Sequence, residues 1–267
     1  MVAGSSRGPE RGTAIASDGT PLAYWTAGEG DPVILIAGQA VEHVSWRIAA
    51  ELLYSRVDGS GRRLIVFDHR GTGASDLGAV DRYETRMFAQ DVVAILDAAG
   101  VDRADVVGHS MGGRVAQWLA IDAPDRVRRL VLASTSAGDA HGSGRTPAVE
   151  EALRSGDRSR IAELFFTKHP EWFLHLLAIT GDPNARGRHF RASRRHDALD
   201  QLHAVAAPTL IVHGAADAIA PLDHAWLLHD RIDDAELAVI PDGRHGILIE
   251  GGPAARIVGR FLDGEPV

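Results

Sequence analysis

Short apolar runs rich in Val, Ile and Leu recur along the chain, at Val33–Ala37, Leu64–Phe67, Ala104–Val107, Leu130–Ala133, Leu210–His213 and Leu237–Ile240. A brief apolar run without alternation is what a strand buried on both faces requires, since neither side of its pleat meets water. Between these runs the pattern changes to a helical period. Over Met87–Ala99 that period sets Val92, Val93, Leu96 and Ala99 on one face and stops before Gly100, and a second helical stretch, Arg114–Ile121, ends before Pro124. At the start of the chain, Thr13–Ser17 and Leu22–Ala27 flank Asp18-Gly19-Thr20-Pro21, residues suited to a turn between antiparallel strands. The pattern predicts an α/β protein with a doubly wound, mostly parallel sheet and an N-terminal antiparallel hairpin.

The alternation lapses over residues 138–203, which open with the loop Ala137-Gly138-Asp139-Ala140-His141-Gly142-Ser143-Gly144 and continue as Arg-rich helical segments. This predicts a core of residues 13–137 and 204–267 with a helical cap inserted at 138–203. The central stretch of the cap, Ile161–Ile179, carries Phe165, Phe166, Trp172, Phe173, Leu176 and Leu177. Most of these should dock the cap on the core, with a minority, Trp172 and Phe173 among them, lining a cavity. Arginines at 186, 188, 191, 194 and 195 offer the opposite lining, because one pointing inward would favour a substrate carboxylate. The apolar lining is the expectation, since arginines on surface helices are ordinarily solvated and are expensive to bury unpaired.

Composition narrows the setting. A length of 267 residues suits one large α/β core, and 45% hydrophobic with 24% charged residues is ordinary for a globular protein. No apolar run approaches the roughly 18 residues that a membrane-spanning helix needs, so no membrane association is expected. Residues 1–12, rich in Gly, Ser and Arg, predict a disordered lead-in without the apolar segment of a secretory signal, and hence a cytoplasmic address. A net charge of −8 argues against nucleic acid as a partner. With no cysteine there can be no disulfide, thiolate metal site or cysteine nucleophile.

The chemistry of the chain is concentrated in three segments. Gly108-His109-Ser110-Met111-Gly112 lies between a predicted strand and a predicted helix, the setting in which small flanking residues allow a tight turn to project a serine hydroxyl. Such a serine needs a base within hydrogen-bond reach and an acid to orient that base. Asp217 follows the strand at Leu210–His213 and His245 follows the strand at Leu237–Ile240, so both fall at strand C-terminal ends, where open α/β sheets place their sites. Asp139, Asp223 and Asp242 remain alternative acids. The histidines at 69, 109 and 213 read as structural or incidental. No H-E-x-x-H occurs, and Gly71-Thr72-Gly73-Ala74-Ser75-Asp76 lacks the third glycine of a dinucleotide loop, so neither metal nor cofactor is expected.

Taken together, the serine turn and the Asp217 and His245 segments resemble the α/β-hydrolase superfamily, and the likeness runs from about Thr13 to Phe261. Asp68-His69-Arg70-Gly71-Thr72-Gly73-Ala74-Ser75 is similar to that superfamily's D-x-R-G-x-G-x-S segment. Size and cap look most like its small esterases and enol-lactonases. The resemblance implies a cofactor-independent serine hydrolase acting on a small-molecule ester or lactone, with Ser110 as nucleophile, His245 as base and Asp217 as acid. It also implies an oxyanion hole built from the backbone amides of Gln39 and Met111. One departure stands out: the family usually places His-Gly after its third strand, and here the chain reads Ala37-Gly38-Gln39. Gly38, His43 and Trp46, close to that loop, are candidate pocket residues, with simple packing as the other reading for His43 and Trp46. The same fold would also accommodate haloperoxidase-like or perhydrolase chemistry, a non-hydrolytic elimination or cyclisation, or a ligand receptor with little turnover.

Overall fold

In strand β3 (Pro32–Ile36), Val33 and Leu35 enter one apolar layer while Ile34 and Ile36 enter another, and the same division runs across the whole sheet. The computed structural model of the chain describes residues 8–56, 58–177 and 181–267. Its strands are β1 (Glu10–Ile15), β2 (Pro21–Ala27), β3, β4 (Arg63–Phe67), β5 (Ala104–His109), β6 (Val127–Ala133), β7 (Thr209–Gly214) and β8 (Ala235–Ile240). They form one sheet in the order β1-β2-β4-β3-β5-β6-β7-β8. β1 and β2 pair antiparallel, β2 joins β4 antiparallel, and every later pairing is parallel.

Helices α1 (Arg47–Tyr54) and α8 (Gly252–Leu262) contribute Ala49, Leu53, Val258 and Phe261 to the layer of Val33 and Leu35. On the opposite face, α2 (Thr85–Ala98), α3 (Met111–Asp122) and α7 (Asp223–Arg231) supply Phe88, Ile95, Val115, Leu119 and Leu228. The sheet is therefore covered on both sides, which is why its strands carry so few polar residues. Strand order reverses at β3, between β4 and β5, so the loops leaving β3 and β5 frame the crevice at the reversal point.

The expected lead-in is shorter than the sequence suggests. Residues 1–7 lie outside the described residues, but Glu10, Arg11 and Gly12 belong to β1 and pair with Thr26, Trp25 and Tyr24. The polar, glycine-containing composition hides this edge strand. A Cβ on Gly12 would stand 2.2 Å from the Tyr24 ring, which would have to shift to admit it.

Between β6 and β7 lie α4 (Pro147–Ser155), α5 (Arg158–Phe165), a 3-10 segment at Pro170–Leu177, α6 (Pro183–Arg194) and a 3-10 turn at Leu199–Ala204. Local chemistry starts each α-helix: Thr146, Asp157 and Asp182 cap the first-turn amides, and Pro147 and Pro183 occupy positions where no amide donor is needed. The insertion is anchored at two sides. Phe166, Leu176 and Leu177 join the apolar layer of α1 and α8, and Arg188 of α6 donates to the Val80 carbonyl at 2.8 Å and to Asp81 at 2.9 Å.

Candidate active site

Ser110 has φ 56° and ψ −120°, a left-handed backbone that a residue with a side chain adopts only under constraint. Its two flanking glycines make the turn sterically possible. A Cβ on Gly108 would lie 2.4 Å from the Gly112 carbonyl oxygen, and one on Gly112 would lie 2.0 Å from that of Ile36. The turn is fixed at both ends, with the Ser110 amide donating to Ala133 at 2.9 Å and the Thr135 hydroxyl donating to the Ser110 carbonyl at 2.7 Å.

The Ser110 hydroxyl lies 2.9 Å from Nε2 of His245, placed to donate to it, and His245 Nδ1–H donates to Asp217 Oδ2 at 2.8 Å. The other Asp217 oxygen accepts from the amides of Ile219 and Ala220 at 2.8 and 2.9 Å, so the carboxylate is held at both ends. Burial by itself would raise the Asp217 pKa. The charge and hydrogen bond of His245, the charge of His213 and the Ala220 amide outweigh that and hold it below the ordinary carboxylate value. None of the alternative acids occupies this place. Asp139 is ion-paired with Arg114, Asp223 accepts from the Ser143 amide at 2.6 Å, and Asp242 is exposed.

Three histidines that the sequence leaves without a role hold the surrounding backbone. His109 Nε2–H donates to the carbonyl of His245 at 2.8 Å and its ring packs 5.0 Å from that of His245. Burial and the neighbouring His245 push its pKa down to about 3, so it stays neutral and can keep the ring nitrogen opposite this donor unprotonated. His69 donates to the Ala37 carbonyl at 3.1 Å. His189 of α6 donates to the Arg70 carbonyl at 2.9 Å and accepts from the Ala40 amide at 3.4 Å. The loop after β3 is thus clasped from the core at Ala37 and from the insertion at Ala40. These contacts join residues far apart in sequence through main-chain groups, so no motif announces them.

A cavity of about 500 Å³ opens between core and insertion and is lined by Gly38, Gln39, Ser110 and His245 together with residues of α4, α5 and α6. Gly38 brings the β3 loop against the serine, and a Cβ there would lie 3.4 Å from that of Ser110. Met111 opens α3, so its amide has no acceptor within the helix. Other candidate pocket residues lie elsewhere, which corrects the expected lining. His43 stacks on Trp25 at 3.7 Å and is held by Asp68 at 2.8 Å, and Trp46 is buried with its ring edge toward His109. Trp172 is 63% exposed and stacks on His169, while Phe173 stacks on Phe166 beneath the insertion. Pro170–Leu177 is a 3-10 segment whose buried residues are Leu176 and Leu177.

The model of the alpha/beta hydrolase fold family matches residues 31–186, and that of the serine aminopeptidase S33 family matches residues 177–252. The chain belongs to the alpha/beta hydrolase fold family. A putative carbamate hydrolase, RutD, of Azorhizobium caulinodans is 32% identical over 84% of this chain and 88% of its own. A 2-hydroxymuconate semialdehyde hydrolase of Pseudomonas putida is 31% identical over 95% of both chains. Among solved structures, an esterase from Exiguobacterium antarcticum superposes with a TM-score of 0.82 at 24% identity, covering 94% of this chain and 98% of that one, which establishes the shared fold. The protein is an α/β-hydrolase-type hydrolase, and no helix among its described residues is long and apolar enough to cross a membrane.

Proposed function

We propose that this hydrolase cleaves a carboxylic ester or lactone of a small to medium-sized substrate with a largely apolar body, by way of an acyl-enzyme on Ser110. The observation that carries the reading is the continuous hydrogen-bonded series from the Ser110 hydroxyl through His245 to Asp217, opening into the cavity on a strained turn. Ser110 Oγ attacks the carbonyl carbon while its proton passes to His245 Nε2. Asp217 accepts from Nδ1–H and stabilises the imidazolium. The oxyanion receives hydrogen bonds from the amides of Gln39 and Met111, each worth about 3 kcal/mol in the transition state. Collapse of the tetrahedral intermediate breaks the ester C–O bond, and His245 returns the proton to the departing alkoxide oxygen. Water then gives its proton to His245, attacks the acyl carbon and releases the acid, regenerating Ser110.

The test is turnover of 4-nitrophenyl esters of graded chain length alongside simple lactones, with Ser110→Ala as control and a fluorophosphonate probe for the nucleophile. Wild type should hydrolyse at least one class and be labelled, and Ser110→Ala should do neither while keeping its fold. Labelling that persists in Ser110→Ala would eliminate the serine mechanism.

A further inference from the structure

The cavity that receives Ser110 carries the opposite charge to the protein around it. Arg114, Arg145, Arg154, Arg158 and Arg186 line it against a single carboxylate, Glu150, on a chain whose net charge is −8. Three of these arginines are engaged. Arg114 pairs with Asp139, Arg145 donates to the Ile219 carbonyl at 2.8 Å and lies 3.5 Å from Glu150, and Arg158 donates to the Leu174 carbonyl. Glu150 is shared further with Arg194 at 3.6 Å.

Arg154 and Arg186 have neither a hydrogen bond nor an ion pair among the described residues. They come from different helices, both border the cavity, and both are exposed to solvent. Arg154 is in the last turn of α4, and the guanidinium of Arg186, on α6, reaches the turn that follows α4, 4.0 Å from where a Cβ on Gly156 would lie. An anion in the cavity would offer these two unpaired cations charge-assisted acceptors that the protein itself does not supply. Much of the remaining lining is apolar, through Val41, Leu153, Ile161, Phe165, Leu177 and Ile219.

We infer that Arg154 and Arg186 form a carboxylate subsite, so that the preferred ester or lactone bears a free carboxylate separated from its reacting carbonyl by an apolar spacer. The inference rests on the serine hydrolase reading for its substrate, and it revises the apolar end expected from the aromatic residues of the insertion. Of the arginine cluster on α6 and just beyond it, Arg186 is the member that lines the cavity. Arg188 and Arg195 are tied to the loop at residues 80–83, and Arg194 to Glu150.

The experiment compares the mono-4-nitrophenyl ester of adipic acid with its methyl-capped neutral counterpart and with 4-nitrophenyl hexanoate. Wild type should prefer the charged ester by about tenfold or more in kcat/KM, the equivalent of one favourable charged contact. The preference should arise in KM and weaken as salt rises, because partly exposed guanidiniums are screened. In the Arg154→Gln/Arg186→Gln double variant the ratio of charged to neutral ester should fall by about tenfold, and the corresponding double Lys variant should recover part of it. Calorimetric binding of adipate to Ser110→Ala, with and without the two arginine changes, reads the subsite without turnover. If hexanoate is hydrolysed while adipate neither binds nor is preferred as its ester, the subsite is wrong and the hydrolase reading stands. If adipate binds through the two arginines but no ester is turned over and no fluorophosphonate adduct forms, the hydrolase reading fails and the subsite stands. A charged-to-neutral ratio that the double Gln variant leaves unchanged overturns the assignment to these two residues.

Discussion

Asp217 and Asp139 both follow strands and both could serve His245 on sequence grounds, yet their surroundings give them different work. Asp217 holds the imidazole and is itself held by two amides, whereas Asp139 neutralises Arg114, a buried cation on the helix behind Ser110. Asp217→Asn should therefore leave the chain folded and lower kcat by about 10⁴, the loss seen when this amide replacement is made in a serine protease. Asp139→Asn should show the reverse balance, a smaller loss of turnover with a destabilisation on the order of 2–3 kcal/mol, because a buried guanidinium loses its counter-charge. Parallel kcat and denaturation measurements on the two variants decide it, and a larger kcat loss at Asp139 would move the acid to that position. Gly112→Ala should cost about 3 kcal/mol, the upper end for overpacking, since its Cβ meets the Ile36 carbonyl of a central strand that cannot yield. A variant that kept the wild-type unfolding midpoint in urea would show that the turn can relax.

Among the elements, the strands were legible because burial on both faces leaves a continuous apolar run, and β3, β5, β6 and β7 lie within a few residues of where those runs predict. The placement of Ser110, Asp217 and His245 at strand ends was legible for the same reason. The insertion was legible only as helical. Its lining depends on tertiary docking, which sets Trp172 against His169 and Phe173 against Phe166. Least visible is α6, whose role passes through His189 to main-chain groups of Arg70 and Ala40. His189→Leu should leave a buried carbonyl and a buried amide without partners, at about 1–3 kcal/mol for each. Because Ala40 follows the proposed oxyanion donor Gln39, kcat should fall by about tenfold or more through lost amide alignment, with less change in KM. His189→Gln, which retains a donor and an acceptor, should recover part of kcat. Equal loss in both variants, tracking only the melting temperature, would reduce His189 to a packing residue.

At the scale of the whole molecule, the histidines that clasp the site also set its tolerance of acid. Burial is the largest cause in each case, lowering His69 to about 4 and His109 and His189 to about 3, and it also holds His196 and His213 below the ordinary value near 6.5. In the unfolded chain each would take up a proton as pH falls through about 6.5, while in the folded protein His69, His109, His189 and His196 take theirs up only well below that. The unfolded state then binds more protons, so stability rises with pH across that interval and is lost on acidification, by about 1.4 kcal/mol per pH unit for each such histidine. One unit below 6.5, His69, His109 and His189 together remove about 4 kcal/mol, a large share of the 5–15 kcal/mol that a typical domain possesses. Asp217 and Asp139, with depressed pKa values, add losses only further down, below the ordinary carboxylate range, and Asp91, raised by burial, works weakly in the opposite sense. Urea unfolding at pH 7.5, 6.5 and 5.5 should therefore show a loss of about 0.4 kcal/mol per histidine over the first step, since the unfolded ring is half protonated at 6.5, and about 1 kcal/mol per histidine over the second. His109→Gln, which keeps a donor for the His245 carbonyl, should reduce that slope by about one proton. A wild-type curve that stayed flat from 6.5 to 5.5 would mean that these rings are protonated in the folded state, and with them the clasp on the loop after β3 would have to be arranged differently.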